Sequence, residues 1–327
     1  ATEGWHSVMA SRMLCRVVLF VSLVRAPIIA SDKTTYTVAG WIPDTEQAFL
    51  GKFRPLFEEY LKSEVNFILN QDINFVLIPA DYSSTSTFEQ LVANNLLDFA
   101  YVHPGQAVCL ELSLGFSYLA TQRTNISKVE SSQYGGLVFA LKTSGLNHSE
   151  DVRDKRIGVG SIWSPGGFSL PQKLLLDNGV NIFSDTEQMV FYEYDYQRMV
   201  ADVTSGDIDV GFLMSGFLEQ NLPDLTHNFA YLPRPTIVTQ YPFLTSTTLV
   251  PGFAVMARPG IPTNVTNAVQ DALLRLSSFH AAAKAAEIWG FETSPPYEVA
   301  RMLLKDLGLL RRNAGTLLGG AGAFECR

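Results

Sequence analysis

Short apolar runs alternate with amphipathic stretches through most of the chain. Runs such as "YTVAGWI" and "INFVLIPA" have the length and the β-branched content of strands. The stretch "EQAFLGKFRPLFEEYLKSE" between them repeats apolar residues at the spacing of one helix face. The same order recurs from "RIGVGS" to "DIDVGFLMSG", and "PTNVTNAVQDALLRLSS", "FHAAAKAAEIWG" and "PPYEVARMLLKDLG" are predicted as three closing helices. This alternation predicts an α/β fold with parallel-rich sheets covered by helices.

The two series of strands and helices predict two lobes. The predicted boundaries are a leader at residues 1–30, a first lobe at 31–136, a second lobe at 137–236, a return to the first lobe at 237–310 and an irregular tail at 311–327. The segments "GGLVFALKT" and "YLPRPTIVTQYP" are predicted to cross between the lobes, and neither is a Gly/Ser linker, which favours a hinge. Because ligands lie beyond the carboxyl ends of strands in open α/β sheets, the binding site is expected in the cleft between the lobes.

The bulk composition narrows the classes of ligand and partner. The chain has 327 residues, 47% of them hydrophobic, so two lobes with buried cores are feasible. The formal net charge of −8 disfavours nucleic acid as a partner, because its binding normally requires a basic face. No run of like charges suggests a polybasic membrane patch. An anionic ligand would therefore have to be held by a local site against the overall field.

The N-terminal residues have the pattern of a secretion signal. Arg12 and Arg16 precede the apolar run "VVLFVSLV", and a small residue suited to cleavage follows at Ala30. The run is too short to span a bilayer. A signal peptide within residues 1–30 predicts a secreted or periplasmic location, or the outer face of a membrane. A buried first helix is the alternative, which the lack of an amphipathic period disfavours.

Cysteines and glycosylation sequons add two further expectations. Removal of the signal peptide would leave Cys109 and Cys326, and Cys109 in the apolar stretch "GQAVCLELSLG" is predicted to be a core residue rather than a disulfide partner. No cysteine cluster fits a metal site, and neither a metal ion nor another cofactor is expected. Asn125, Asn147 and Asn264 begin Asn-x-Ser/Thr sequons, which are candidate glycosylation sites only in a eukaryotic host.

The stretch "GVGSIWSPGGF", residues 158–168, leads from a predicted strand into a predicted helix. Gly158 and Gly160 fit the start of a dinucleotide fingerprint, but Trp163 occupies its third glycine position and would block the approach of helix to strand. The stretch also lacks the Gly-Lys-Ser/Thr ending of a phosphate-binding loop and the G-x-S-x-G of a nucleophile elbow. Nucleotide-binding and hydrolase motifs are therefore excluded at this turn.

The same turn has the features of an anion site. The hydroxyls of Ser161 and Ser164 lie where a helix begins, together with the backbone N–H groups of Gly166 and Gly167. Unpaired N–H groups and the positive end of the helix dipole stabilise an anion without a formal cation. Ser164 before Pro165 is also a typical N-cap, so a purely structural role is an open alternative.

Aromatic and hydroxyl side chains follow the other predicted strands. These candidates are Trp41, Tyr82, His103 and Gly105 in the first lobe, Tyr194, Tyr196 and Ser215 in the second, and Ser246 and Thr247 late in the chain. A single Tyr or Trp ordinarily packs in a core, but the position of the whole set at strand ends favours ligand binding. The set contains no paired carboxylates and no nucleophile–base pair, so no enzymatic activity is expected.

The order of the motifs carries a family resemblance. The stretches "KFRPLFEEYL", "LLDFAYVHPGQAV", "MVADVTSGDIDVGFLMSGFLE" and "STTLVPGFAVMARPGIP" surround the glycine-rich turn, and "WGFETSPPYEVARMLLKDLGL" follows. Together they resemble the phosphate, phosphite and phosphonate substrate-binding proteins of ABC transporters, and still more the input domains of tetrathionate-type sensor histidine kinases. The resemblance covers about residues 36–310. It implies a two-lobed periplasmic-binding-protein-like (type 2) fold, with the ligand's oxyanion held at Ser161, Ser164 and Gly166.

The chain departs from that family's pattern at several site positions. Trp163 and Pro165 stand where the family usually has small hydroxyl residues, and Tyr196 stands where it has His. Leu213-Met214 occupies a strand end at which many sensor relatives place Arg. These departures favour a ligand bulkier or less charged than phosphonate, with Trp163 as a stacking wall.

The resemblance implies an extracytoplasmic domain that closes its lobes on a small anionic ligand and performs no catalysis. The implied partner is an ABC permease, for uptake, or a fused or separate membrane sensor module, for signalling. The alternatives are an enzyme on the same scaffold, like the synthases of pyrimidine precursors, and a structural relative that binds no ligand.

Overall fold

Strands and helices alternate in the computed structural model of the chain, which describes residues 33–41, 45–80, 87–233, 241–312 and 324–326. The predicted signal peptide lies outside these residues. The elements of the first part are β1 (Thr35–Trp41), α1 (Glu46–Arg54), a π-helical turn (Pro55–Tyr60), α2 (Leu61–Leu69), β2 (Asn74–Ala80), α3 (Thr87–Ala93), β3 (Phe99–Val102), α4 (Pro104–Leu114), β4 (Ser117–Ile126), β5 (Val129–Ser131) and β6 (Gln133–Tyr134).

The second part of the chain continues this alternation. Its elements are β7 (Gly136–Leu141), 3₁₀ turns at Lys142–Ser144 and Ser149–Val152, β8 (Arg156–Val159), a π-helical turn (Pro165–Ser169), α5 (Leu170–Asp177), β9 (Gln188–Phe191), α6 (Tyr196–Ser205), β10 (Val210–Met214), α7 (Phe217–Asn221), a 3₁₀ turn (Pro223–Asn228) and β11 (Phe229–Tyr231). The final elements are β12 (Val250–Pro251), β13 (Ala254–Ala257), α8 (Thr263–Arg275), α9 (Ala281–Ala285), β14 (Ile288–Glu292), α10 (Glu298–Asp306), β15 (Leu310–Arg312) and β16 (Phe324–Cys326).

Two sheets organise these elements. The first has the order β14-β4-β13-β3-β1-β2, with β5 beside β4, and the second has the order β11-β7-β10-β8-β9. Strands β1, β2 and β3 run parallel, as do β8, β9 and β10, whereas β13, β4 and β14 pair antiparallel in the first sheet and β7 and β11 do so in the second. The predicted α/β class is confirmed, although both sheets are mixed rather than parallel throughout.

Helices cover both faces of each sheet, because each sheet has apolar side chains on both faces. One core of the first sheet includes Phe57, from the π-helical turn before α2, and Leu273 of α8. The other core includes Val108 of α4 and Leu304 of α10. The second sheet buries one core under α5 and another under α6. Burying a side chain the size of Phe57 contributes about 1.5–3 kcal/mol.

Within the described residues, no helix combines the length and the apolar character needed to cross a bilayer.

Two short strands connect the sheets. The chain leaves the first sheet through β6 and returns through β12, and the two strands pair antiparallel with Tyr134 opposite Val250. The N–H of Gly252 also donates to the carbonyl of Ser132 at 2.7 Å. We refer to β6, β12 and residues 135–136 as the hinge. The residue boundaries of the two lobes themselves stay a prediction, and residues 234–240 of the second predicted crossing lie outside the described part of the chain.

The closing helices differ from the predicted pattern in one place. The stretch "FHAAAKAAEIWG" is predicted as one helix, but α9 ends at Ala285 and β14 begins at Ile288. Glu287, between them, has a left-handed backbone with φ of 56°, which stops the helix. Residues of β14 then pair with β4, where Phe291 lies opposite Gln122. Tertiary pairing therefore overrides the helix propensity of the alanine run.

The C-terminal residues correct a second expectation. The predicted irregular tail contains part of β15 and all of β16, which pair antiparallel. Strand β16 also contacts α4, and Cys109 of α4 is disulfide-bonded. Cys109 packs, half-buried, against the core under α4 and α10, but the prediction that it is not a disulfide partner is wrong. The sequence pattern shows that Cys109 lies in an apolar helix. It does not show that β16 lies beside that helix.

We predict that Cys326 is the partner of Cys109, because β16 ends at Cys326 and contacts α4. Peptide mapping by mass spectrometry without reductant should find the two cysteines linked. Cys109→Ser should lower the free energy of unfolding by about 2–5 kcal/mol. Reductant should destabilise the wild type to the same level and leave Cys109→Ser unchanged. A Cys109 peptide linked to Cys15 instead would contradict this pairing.

Candidate functional site

Three strand ends meet at one edge of the second sheet. Strand β8 runs parallel to both β9 and β10, so the residues that follow these strands lie at the same edge. The N–H of Ser161, after β8, donates to the carbonyl of Glu193, after β9, at 2.9 Å. The N–H of Ser164 in turn donates to the carbonyl of Ser161 at 2.8 Å. We call residues 160–169, which contain this turn and the start of the following helix, the serine turn.

Ser164 is the N-cap of the helix that begins at Pro165. Its Oγ accepts a hydrogen bond from the N–H of Gly167 at 3.0 Å, and its carbonyl accepts one from the N–H of Phe168 at 2.9 Å. Its Oγ also shares a hydrogen bond of 3.0 Å with the phenol of Tyr196. The capping role that the sequence left open is thus present. It joins the turn to the first residue of α6 and leaves the hydroxyl in a buried polar pair.

The two glycines of the serine turn permit close approach to its neighbours. A Cβ at Gly167 would lie 2.3 Å from the Tyr196 phenol oxygen, and a Cβ at Gly166 would lie 2.8 Å from the carbonyl oxygen of Gly135. Neither space admits a side chain. The glycines therefore bring the helix start against Tyr196 on one side and against the hinge on the other.

Tyrosines gather around the hinge beside the serine turn. Burial raises the pKa of Tyr134 well above its ordinary value, and the nearby phenols of Tyr297, Tyr196, Tyr194 and Tyr241 raise it further. Burial also raises the pKa of Tyr196 to about 12. The phenols of Tyr134, Tyr196, Tyr241 and Tyr297, whose pKa values burial raises, are consequently neutral at physiological pH. They can donate or accept hydrogen bonds with a ligand but cannot supply charge or act as bases.

The structure places three of the predicted site hydroxyls against the backbone of the hinge and of the start of β7. The Oγ of Ser215 accepts from the N–H of Gly135 at 2.7 Å and also bonds to the phenol of Tyr241. The Oγ1 of Thr247 accepts from the N–H of Gly136 at 2.8 Å, and the Oγ of Ser246 accepts from the N–H of Val138 at 3.1 Å. These hydroxyls fix the crossing between the sheets.

The remaining predicted residues lie where the first sheet faces the second. His103 caps α4, since its Nδ1 accepts from the N–H of Gln106 at 3.3 Å, and it lines a cavity of about 410 Å³ together with Gly105 and Trp163. Trp163 and Tyr194 pack against the core that lies under α4 and α10. The strand ends of the two sheets thus come together, as the sequence predicts. Trp41 ends β1, but its side chain and all of Tyr82 lie outside the described residues.

Sequence reasoning missed three hinge tyrosines, Tyr134, Tyr241 and Tyr297. They lie in a crossing strand, a loop and a helix start rather than after a parallel strand, so the strand-end rule does not find them. The phenol of Tyr297 donates to the carbonyl of Gly252 at 2.9 Å and bonds to Thr121. A Tyr beside the Gly-Gly pair of a predicted crossing is the one signal that could have identified Tyr134.

The three sequons occupy different surroundings. Asn147 and Asn264 are exposed, whereas Asn125 is half-buried in β4 opposite Glu130 of β5. Exposure suits glycosylation at the first two better than at Asn125, and the use of any of the three stays a prediction.

The pKa of His103 generates a prediction about pH. Burial lowers this pKa from 6.5 to about 4 in the folded state, so the unfolded chain binds the proton first as the pH falls. The stabilising contribution of neutral His103 is complete above pH 6.5 and is lost as the pH falls toward 4, by on the order of 3 kcal/mol. His103→Asn keeps a side-chain acceptor for the cap and should flatten this dependence, as measured by urea unfolding across the range. The exposed His227→Asn is the control, and an equal flattening by it would contradict the assignment.

The Thr247 hydroxyl generates a prediction about the hinge. Thr247→Val retains the side-chain shape but leaves the buried N–H of Gly136 without its acceptor, which should cost about 1–3 kcal/mol of unfolding free energy. The neighbouring Thr248 is exposed, so Thr248→Val should cost much less. Urea unfolding of the two variants provides the comparison, and equal costs would show that the Gly136 bond does not stabilise the fold.

Comparisons with solved structures agree with the overall fold. In overall fold the chain is similar to XAC2383 from Xanthomonas citri bound to ATP, with a TM-score of 0.62 and 19% identity, covering 84% of this chain and 95% of the other. It is also similar to PhnD1 from Prochlorococcus marinus in complex with methylphosphonate, with a TM-score of 0.60 and 18% identity, covering 85% of this chain and 99% of the other.

Sequence comparison adds a relative and a family. Over 224 residues the chain is 26% identical to the tetrathionate sensor histidine kinase TtrS of Salmonella typhimurium, a match that covers 67% of this chain but only 36% of that protein's length. Residues 39–297, most of the chain, match the family described as ABC transporter, phosphonate, periplasmic substrate-binding protein. The resemblance seen in the sequence is confirmed, and the chain belongs to this periplasmic substrate-binding protein family.

Proposed function

We propose that the chain is an extracytoplasmic solute-binding domain that holds a small anionic ligand at the serine turn. The observation that carries the proposal is the helix that begins after Ser164. Its start lies at the edge of the second sheet where the parallel strands end, and this edge faces the first sheet. The helix continues through the π-helical turn into α5, so its dipole is that of a helix of several turns. Such a start stabilises negative charge without a cation.

The groups around this helix start can hold an anion by neutral hydrogen bonds, without a positively charged side chain. The Tyr196 phenol is neutral and hydrogen-bonded to Ser164, and burial lowers the local dielectric, which strengthens each hydrogen bond to a charged ligand. The methylphosphonate complex of PhnD1, a protein of the same fold, supports an oxyanion as the ligand class.

The hinge supports a mechanism in which ligand binding stabilises one arrangement of the two sheets. Two paired strands connect the sheets, and small changes in backbone dihedral at such a connection move whole lobes. A ligand that touches both edges favours the closed arrangement by its extra contacts there. The partner that senses closure is an ABC permease or a membrane sensor module, and the domain itself performs no catalysis.

The disulfide supports an extracytoplasmic location. Disulfides persist in oxidising compartments such as the periplasm or the extracellular space, and Cys109 forms one. The signal-peptide pattern in residues 1–30 agrees with the same location.

We predict that an oxyanion raises the melting temperature and binds measurably by calorimetry. Phosphate, methylphosphonate, phenylphosphonate, sulfate and tetrathionate are the anions to compare, with glycerol and choline as neutral and cationic controls. Ser164→Ala should weaken the best anion at least tenfold, or about 1.4 kcal/mol, and lower stability by about 0.5–2 kcal/mol through loss of the cap.

Ser164→Asp separates binding from capping. Aspartate also caps helices, so the fold should be retained, although burial of its carboxylate should lower stability, and its negative charge should abolish anion binding. Unchanged affinity in Ser164→Asp, or stabilisation by choline or glycerol but by no anion, would contradict the proposed site and ligand class.

A further inference from the structure

A cavity of about 410 Å³ lies beside the serine turn. Most of its walls come from three stretches: the start of α4 at His103 to Cys109, the residues from Ile162 to Gln172, and α10 with the residues that follow it. Phe183 and Val250 complete the described lining. Pockets that hold one small organic molecule have volumes of about 300–1,000 Å³. The cavity is therefore large enough for one such ligand and touches elements packed on both sheets.

The described lining is apolar with a few neutral polar groups. Phe168, Leu303 and Leu304 form much of the wall, whereas Gln106, Ser169 and Gln172 supply polar side chains. Among the described residues that line the cavity there is no Asp, Glu, Lys or Arg. Burying an ion in such surroundings costs several kcal/mol. The chemistry of the wall consequently selects an uncharged molecule.

The cavity and the anion-binding groups lie on different sides of the serine turn. Ser161, Ser164 and Tyr196 are not among the described lining residues, and the Oγ of Ser164 is directed to Tyr196 and to the N–H of Gly167. The residues on either side of Ser164, Trp163 and Pro165, line the cavity instead. One short turn therefore presents hydroxyls on one side and an apolar surface on the other.

The rim of the cavity exposes large apolar side chains. Ile162 is 52% exposed and Phe183 is 65% exposed, and both line the cavity. The Phe183 ring lies 6.4 Å from that of Phe168, centroid to centroid, so the exposed ring continues the inner wall. A contiguous apolar rim around a concave apolar space is typical of a ligand site rather than of ordinary surface.

We propose that this cavity is a second ligand site, which binds an uncharged, mainly apolar small molecule carrying one hydrogen-bonding group. The amide of Gln106 or Gln172 meets that group, and the aromatic and leucine side chains cover the rest. A molecule in the cavity touches Trp163 and Pro165, on either side of Ser164. It therefore changes the affinity of the anion site without occupying it, which is an allosteric coupling.

The test uses the neutral fluorophore N-phenyl-1-naphthylamine, whose emission rises in apolar surroundings. We expect saturable binding of one dye per chain. Ala300→Phe fills the cavity from the buried side of α10 and should weaken dye binding at least tenfold. Phe183→Ser changes an exposed rim residue, should leave folding intact and should weaken the dye several-fold. The matched control is Phe279→Ser, because Phe279 is 82% exposed and is not part of the described lining.

The two sites are distinguished by competition and by the serine variant. Ser164→Asp should retain dye binding, and a bound oxyanion should shift the dye's affinity to a limiting value rather than displace the dye in proportion to its concentration. Unlimited competitive displacement would overturn the proposal by making the cavity part of the anion site. Equal dye binding by the wild type, Ala300→Phe and Phe183→Ser would also overturn it. So would a dimer, seen by light scattering, that Phe183→Ser dissociates and Phe279→Ser does not. If no oxyanion binds, the two cavity variants and the Phe279→Ser control still decide the question.

Discussion

The backbone at Gly135 and Gly136 is the constraint on which the rest of the structure depends. It carries the chain from one sheet to the other, and no side chain fits at either residue. A Cβ at Gly135 would lie 2.3 Å from the Oγ1 of Thr245, and a Cβ at Gly136 would lie 2.6 Å from the ring of Pro171. The N–H groups of both glycines are bonded to hydroxyls, from Ser215 and Thr247. The crossing is therefore held by close packing and by buried side-chain acceptors together.

That crossing also determines where the serine turn lies. Gly166 packs against the carbonyl of Gly135, and Tyr134 precedes the glycines within the group of buried phenols. A change in the backbone at the hinge would therefore move the start of the helix after Ser164 directly, because Gly166 contacts Gly135 with no residue between them. Neutral hydroxyls and phenols suit this place, because a charged side chain buried there would require a partner that the crowded backbone leaves no room for.

The sequence predicted the fold well because its pattern is local. Strand and helix positions follow from apolar periodicity, and the turn at Ser164 follows from Ser-Pro at a helix start. The predictions were wrong where the local structure depends on contacts with residues distant in sequence. Strand β14 replaces the end of a predicted helix because β4 offers a pairing edge. Cys109 is disulfide-bonded, and β16, which ends at its predicted partner Cys326, lies beside α4. Neither neighbour is near in sequence.

The candidate site shows the same limit more sharply. The rule that ligands lie at strand ends brought Ser164, His103 and Thr247 into one predicted set, and in the structure these residues lie near the meeting of the two sheets. The rule predicts the edge of the sheet at which these residues lie, but it does not predict the direction in which each side chain points. Thr247 turns to the hinge, His103 to the apolar cavity and Ser164 to Tyr196. Trp163 marks the division, since an indole at that position excludes water from one side of the turn while the hydroxyls keep the other side polar. The proposal of two unlike ligands rests on this contrast between the two sides of the turn, which a turn of small residues alone would not provide.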